Sequence, residues 1–200
     1  MKILKLSPWL ISLLLMTLTL SAQAQTSPTD QLKTSVDKIL NLLKQDSLDK
    51  ETRRKQIRAL INERFYFEAM SQRALARNWH KATPEQKKEF VGLFSDLLEQ
   101  TYIGRIEAYT NERVEFLREK KRNEKRAVVY TQIITASGEI PIYYKLATRG
   151  DQWLVYDVVI EEVSLISNYR SSYDEIIKKK GIDGLLAEMK QKVADQNNAA

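Results

Sequence analysis

A chain of 200 residues, 43% hydrophobic and 29% charged, has the apolar content and length for a packed domain of ordinary size. It contains no cysteine and one histidine, which excludes thiol catalysis, disulfide stapling, thiolate metal centres and multi-histidine metal sites. The formal charge of +6 is a mild basic excess that suits an anionic surface or an acidic protein better than nucleic acid.

Lys2 and Lys5 precede an apolar run from Leu10 to Leu20, and Ala22-Gln23-Ala24 follows it. This order of charged, apolar and small residues predicts a signal peptide over residues 1–24, cleaved on export. The run is shorter than the roughly 20 apolar residues that span a bilayer, and no cysteine follows it to carry a lipid anchor. Residues 25–200 are then expected as one domain outside the cytoplasm, with 30 Lys and Arg against 26 acids, a net +4. The basic clusters Arg53-Arg54-Lys55, Arg118 to Arg126 and Lys178-Lys179-Lys180 are interrupted by acids or fall at helix ends and turns, so they read as solvated faces.

The segment from Gln25 to Thr29 and the tail from Asp195 are expected to be loose. Between them, Leu32, Val36, Ile39, Leu40 and Leu43 lie at helical spacing, and Ile57, Leu60 and Ile61 repeat the pattern after a capping Asp49. A third helix is expected from Phe67 to about Asn78. Thr83, Pro84 and Gln86 then form the strongest helix start in the chain, opening a long helix that carries Phe90, Phe94, Leu97, Leu98, Tyr102, Ile106 and Tyr109.

The period changes after Asn111. Val114 to Arg118, Ala127 to Thr135, Ile140 to Thr148 and Trp153 to Ile160 are rich in β-branched and aromatic residues, with turn signals at Arg122-Asn123, Ser137-Gly138 and Arg149-Gly150-Asp151. Short connections imply an antiparallel meander. Alternation places Ile140, Ile142, Tyr144 and Leu146 on one face, and Leu154, Tyr156, Val158 and Ile160 together on the next strand. Helices are expected to return after Tyr173, with a stop at Gly181 and a last segment from Asp183 to Val193. The fold class is α+β: N-terminal helices and a long helix (about 30–110) packed on a curled antiparallel sheet of about four strands (about 113–162), then C-terminal helices (about 165–194).

No nucleophile elbow, Walker loop, dinucleotide fingerprint or calcium loop is present. His80 beside Trp79 reads as a surface or half-buried residue. One enzymatic reading stays open, because helix-wrapped cone-shaped sheets can pair a carboxylate base with tyrosine donors. Asp157, between Tyr156 and Val158, is its candidate, although a carboxylate on such a strand is more often an exposed face residue or a structural hydrogen-bond partner.

From Trp153 the chain reads WLVYDVVIEEVSLISNYR through Arg170, which resembles the signature W-x-V-Y-D-V-x-I-E-G-V-S-L-x-x-N-Y-R of the MlaC family, also known as toluene-tolerance auxiliary proteins. Phe67 to Ser71 with Leu75 to Trp79, and Ala82 to Gln86 with Phe90, Phe94, Leu98 and Thr101-Tyr102, agree in the same order. Glu162 stands where the family usually has glycine, which puts the local turn in question because glycine permits positive φ.

The resemblance implies an NTF2-like or cystatin-like fold without enzymatic activity or cofactor, and a periplasmic carrier. Such a carrier shuttles phospholipid between an outer-membrane lipoprotein complex and an inner-membrane ABC transporter, maintaining outer-membrane lipid asymmetry. It makes an acyl-chain pocket the expectation for Phe94, Leu98, Tyr102 and Ile106 on the long helix, Ile142, Tyr144, Tyr156 and Val158 on the strands, and Val163, Leu165, Ile166 and Tyr169 beyond them. From pattern alone, without the resemblance, a solid core filled by the same residues is the favoured reading. Arg170, ending the signature, is the candidate for the pocket mouth, where a cation meets a lipid phosphate; a structural ion pair is the alternative. An adaptor binding only proteins is a third class of function. Weak, transient docking to partners implies a monomer.

Overall fold

The computed structural model describes residues 26–108 and 113–198; the expected signal peptide and Tyr109 lie outside the described residues. Helix α1 (Pro28–Leu43) starts at Ser27, whose hydroxyl accepts from the Asp30 N–H at 3.0 Å, with Pro28 in the first turn. Helix α2 (Lys50–Arg64) starts at Asp49, whose carboxylate accepts from the Thr52 N–H at 2.9 Å. Helix α3 (Phe67–Leu75) is shorter than expected: Ala76 takes φ 49°, and a 3-10 turn (Ala76–His80) replaces the last α-helical turn. Helix α4 (Pro84–Glu107) opens with the reciprocal capping box that its sequence signals. The Thr83 hydroxyl accepts from the Gln86 N–H at 3.2 Å, and the Gln86 side-chain oxygen accepts from the Thr83 N–H at 2.9 Å.

Strands β1 (Arg113–Asn123), β2 (Arg126–Thr135), β3 (Gly138–Arg149), β4 (Gln152–Ile160) and β5 (Val163–Ser164) form one antiparallel sheet in the order β1-β2-β3-β4-β5, one short strand more than expected. The free edge, β1, breaks register at Leu117 and again at Arg122. Leu117 is 54% exposed there. A further break lies in β4: Lys145 pairs with Asp157 but Leu146 pairs with Val155, so Tyr156 is a bulge. The bulge overturns the simple alternation expected for this strand. Val158 and Ile160 share the inner face with Ile142 and Tyr144, whereas on the other side of the bulge Trp153 and Val155 take that face and Tyr156 packs on the helices.

Helix α5 (Leu165–Asn198) begins at the bound of about 165 expected for the C-terminal helices, eight residues ahead of Tyr173, and continues into the tail expected to be loose, with a break at Gly181 (φ 71°, ψ −178°). Its start is capped through a contact with another strand: the Ser164 hydroxyl accepts from the Ser167 N–H at 3.1 Å and donates to Asp157 at 2.8 Å, a cap held by a buried carboxylate. Two apolar clusters result. One joins α3, α4 and α5 through Met70, Phe90, Phe94, Ile166, Tyr173 and Leu185. The other joins the sheet to α1 through Leu32, Val129, Ile142, Leu146 and Val155. Phe90 and Phe94 are fully buried, each worth roughly 1.5–3 kcal/mol relative to exposure.

Candidate functional site

Between the two clusters the packing is incomplete. A cavity of about 540 Å³ lies between the inner face of the sheet and helices α1, α2 and α4. Its wall runs along α1 from Leu32 to Leu43 and along α4 from Leu98 to Ala108, so it follows each helix for about 15 Å at 1.5 Å per residue. Leu60 and Ile61 close the α2 side, Phe65, Phe67 and Met70 lie towards α3, and Ile133, Ile140, Ile142, Val158 and Ile160 form the sheet side. A well-packed interior leaves few voids larger than a water molecule. A void of this size lined by leucine, isoleucine and valine is suited to an apolar ligand. A second depression, about 500 Å³ beside Tyr66 and Arg149, has a mixed lining, with Asn62, Glu63, Glu68 and Gln152 beside Phe65, Phe67 and Leu154.

Five polar or charged side chains, Ser35, Arg64, Glu99, Arg105 and Thr135, interrupt the wall. Arg64 is 9% exposed and ties three elements together: its Nε donates to the Ser35 hydroxyl at 2.8 Å, and its NH1 donates to the Gln31 side chain at 3.0 Å and to the Trp153 carbonyl at 2.8 Å. Burial lowers the guanidinium pKa, but arginine remains charged in proteins, so these neutral acceptors hold a permanent cation in place. Glu99 is buried and paired with the half-exposed Arg58. Burial raises its carboxyl pKa above the usual range, against the opposing pull of Arg58. Arg105 lies over the Tyr102 ring at 5.6 Å.

Of the residues expected to line a pocket, Leu98, Tyr102, Ile106, Ile142, Tyr144, Val158 and Leu165 face this cavity. Phe94 and Ile166 lie in the helical cluster, with Tyr156 and Tyr169 packed against it. Tyr169 meets Phe94 edge-on at 5.2 Å, and Arg73 stacks over Tyr156 at 4.3 Å. Val163 is 59% exposed. Arg170 is exposed, and its Nε donates to the Arg73 carbonyl at 2.9 Å, away from the cavity. The wall also includes residues that sequence reasoning misses: Val36, Ile39, Leu40 and Leu43, together with Leu60, Ile61 and Ile133. For α1 a signal exists, since Leu32, Val36, Ile39, Leu40 and Leu43 make a stripe wide enough for more than one contact.

Asp157 does not line the cavity. It is 5% exposed and accepts from Lys145 Nζ at 2.8 Å, the Ser164 hydroxyl at 2.8 Å and the Ile166 N–H at 3.3 Å. It anchors the start of α5, which is a structural task. His80 is exposed at the end of the 3-10 turn. Among the described residues no cluster of acidic and histidine side chains could hold a metal ion, and no helix is long and apolar enough to cross a membrane.

A curled antiparallel sheet wrapped by helices around an elongated apolar cavity defines a protein built to enclose an apolar ligand. The family model described as "MlaC protein" matches residues 33–191, and the chain belongs to that family. The chain is 25% identical over 182 residues, 86% of its own length and 85% of the relative's, to the intermembrane phospholipid transport system binding protein MlaC of Haemophilus influenzae. It is 29% identical over 104 residues, 52% of the chain and 48% of the relative, to the toluene tolerance protein ttg2D of Pseudomonas putida. Among solved structures it is similar to the phospholipid-binding protein from Ralstonia solanacearum, determined in complex with a phospholipid. That match has a TM-score of 0.77 at 24% identity and covers 86% of this chain and 99% of the other.

Proposed function

We propose that this chain is a periplasmic phospholipid carrier, which holds acyl chains in the cavity behind α1, α2 and α4 and moves lipid between an outer-membrane lipoprotein complex and an inner-membrane ABC transporter. The task thereby served is the maintenance of outer-membrane lipid asymmetry. The carrying observation is the cavity itself, about 540 Å³ with a wall of aliphatic and aromatic side chains. A methylene in water costs about 0.8 kcal/mol, so two chains of about 16 carbons cost on the order of 25 kcal/mol to expose, and unassisted diffusion across an aqueous space is negligible. An apolar wall that covers the chains lowers that cost. The relatives' names, which speak of intermembrane phospholipid transport and of toluene tolerance, support the same reading. So does the leader ending at Ala22-Gln23-Ala24, which is the signal for export.

The test is native mass spectrometry of the protein purified from its own periplasm, with lipid extraction and identification. Phospholipid at near-stoichiometric amounts is the expected result. A clean ligand-free mass after gentle purification overturns the reading in favour of a protein adaptor.

A further inference from the structure

Strand pairing sorts the charges of the Arg118 to Arg126 cluster, which acids interrupt along the chain. Arg118 pairs with Tyr130 and Lys120 with Val128, and Tyr130 pairs in turn with Tyr143, all on the face of the sheet away from the cavity. Glu119, between the two cations, falls on the opposite face, where it accepts from the Thr29 N–H at 3.1 Å and the Thr29 hydroxyl at 2.8 Å. Arg126, next to the inward Ala127, joins the outer set. Arg118, Lys120 and Arg126 are exposed, and among the described residues none of the three is in an ion pair. Arg73 of α3, stacked on Tyr156, lies within electrostatic reach of Arg126 and extends the positive strip.

The aromatic part of this face is held in place. Arg118 lies over the Tyr130 ring at 4.0 Å, Tyr130 meets Tyr143 at 4.7 Å between ring centres, and the Tyr143 hydroxyl is bonded to Glu162. Side chains ordered in this way have little conformational freedom left to lose when a partner covers them. Among the described residues no helix packs along this side of β1, β2 or β3: α1, α2 and α4 wall the cavity on the inner side, and α3 and α5 meet the sheet at β4. Arginine and tyrosine are the residues that concentrate in protein interfaces, and a guanidinium matches a carboxylate with two parallel hydrogen bonds. A face that enters a lipid surface carries protruding tryptophan, phenylalanine or leucine. Here Val128 and Val159 are buried, Trp79 and Trp153 pack in the two apolar clusters, and Leu117 at the bulged edge is the one exposed leucine beside the strip.

We infer that the outer face of β1 to β3, centred on Arg118, Tyr130, Tyr143 and Arg126, is the surface by which the carrier docks on an acidic patch of a protein partner. This rests on the carrier reading above and adds to it a docking face and the charge of the partner. Attraction between exposed charges speeds encounter and is screened by salt, which suits a contact made and broken at each delivery.

The double variant Arg118→Glu, Arg126→Glu reverses the strip, and Lys55→Glu, Lys179→Glu, at exposed sites on α2 and α5, makes the same change in net charge elsewhere. Each protein is purified from the periplasm with its lipid. It is titrated against the detergent-solubilised inner-membrane ABC transporter and outer-membrane lipoprotein complex of the same organism, and against vesicles of phosphatidylethanolamine and phosphatidylglycerol. The strip reversal is expected to weaken binding to at least one complex by about tenfold or more, with the control within about twofold of the unaltered protein and lipid content unchanged in both. The milder Arg118→Gln, Arg126→Gln replaces the reversal in the comparison if the reversed protein loses its lipid. An equal loss in the control assigns the effect to net charge and overturns the docking face, as does a strip variant that binds both complexes like the unaltered protein. Loss of vesicle binding alone overturns the protein partner in favour of an anionic membrane. An unaltered protein that carries no lipid overturns the carrier reading itself, whereas one that carries lipid and binds neither complex overturns this inference alone.

Discussion

The Tyr143 hydroxyl donates to the Glu162 carboxylate at 2.7 Å, linking the middle of β3 to the turn between β4 and β5. That turn holds Glu161 at φ 48° and Glu162 at φ 66°, two consecutive left-handed residues that bear side chains. The position where the family usually has glycine is thus a position where the backbone favours one, and the tyrosine contact is what the glutamate side chain gains there.

Replacing Glu162 separates these two effects. Glu162→Ala loses the tyrosine contact and keeps the left-handed backbone, whereas Glu162→Gly loses the contact and relieves the backbone. Left-handed conformation costs a side-chain-bearing residue roughly 1 kcal/mol. Glu162→Gly is expected to melt above Glu162→Ala by about 2–4 °C in calorimetry. Equal melting temperatures would show that the turn carries no strain.

Arg64 is expected to be the most sensitive charged position on the cavity wall. Lysine retains the charge but cannot serve Ser35, Gln31 and the Trp153 carbonyl together. Arg64→Lys is expected to cost about 2 kcal/mol, a fall of about 4–8 °C in melting temperature. A loss below about 1 °C, well under that range, would mean that the guanidinium does not hold α1 and β4 to α2.

Leu98→Trp places an indole in the cavity from α4 and is expected to cut co-purified phospholipid severalfold while leaving the circular dichroism spectrum unchanged. Val163→Ser, at an exposed site away from the cavity, is the matched control and is expected to load normally. Undiminished loading in Leu98→Trp would place the lipid elsewhere.

Asp157→Ala is expected to destabilise the fold by about 3 kcal/mol, because it strands Lys145 and frees the Ser164 cap at the start of α5. At temperatures where the variant remains folded, lipid binding is expected to persist. Loss of lipid from a folded variant would instead tie Asp157 to the ligand.

Acid titration is expected to loosen the docking of α5 on the 3-10 turn. Asp174 sits near pKa 2, lowered by hydrogen bonds from Lys178, Asn78 and Arg77. Its folded value lies below its unfolded value near 4. Its contribution is therefore fully present above pH 4 and disappears as the pH falls from about 4 to about 2. Asp174→Asn is expected to flatten the stability curve over that window, and an unchanged slope would show that the cluster contributes nothing.

Elements set by local chemistry are legible in the sequence: the Thr83–Gln86 capping box, the Asp49 cap, the Gly181 break and the β2–β3 turn at Ser137-Gly138 each depend on a few adjacent residues. The inner face of β3 is legible too, because uninterrupted alternation makes Ile140, Ile142 and Tyr144 neighbours. Beyond the bulge at Tyr156 that reasoning fails, since one extra residue exchanges the faces and nothing in Leu154-Val155-Tyr156-Asp157 announces it. The cap at the start of α5 escapes a local reading because Ser164 acts through Asp157, seven residues back and on another strand. Arg64, a charged residue at the end of a helix, gives no sign that it will be buried.

The free edge of the sheet bears on how this protein behaves in a crowded compartment. Strand β1 carries register breaks at Leu117 and Arg122 and the cations Arg118, Lys120, Lys121 and Arg122. Bulges and lysines on an open edge prevent a second strand from zipping alongside. The edge is therefore a poor template for a second copy of the chain, and the curl that the sheet keeps around the void is not set by a neighbouring strand.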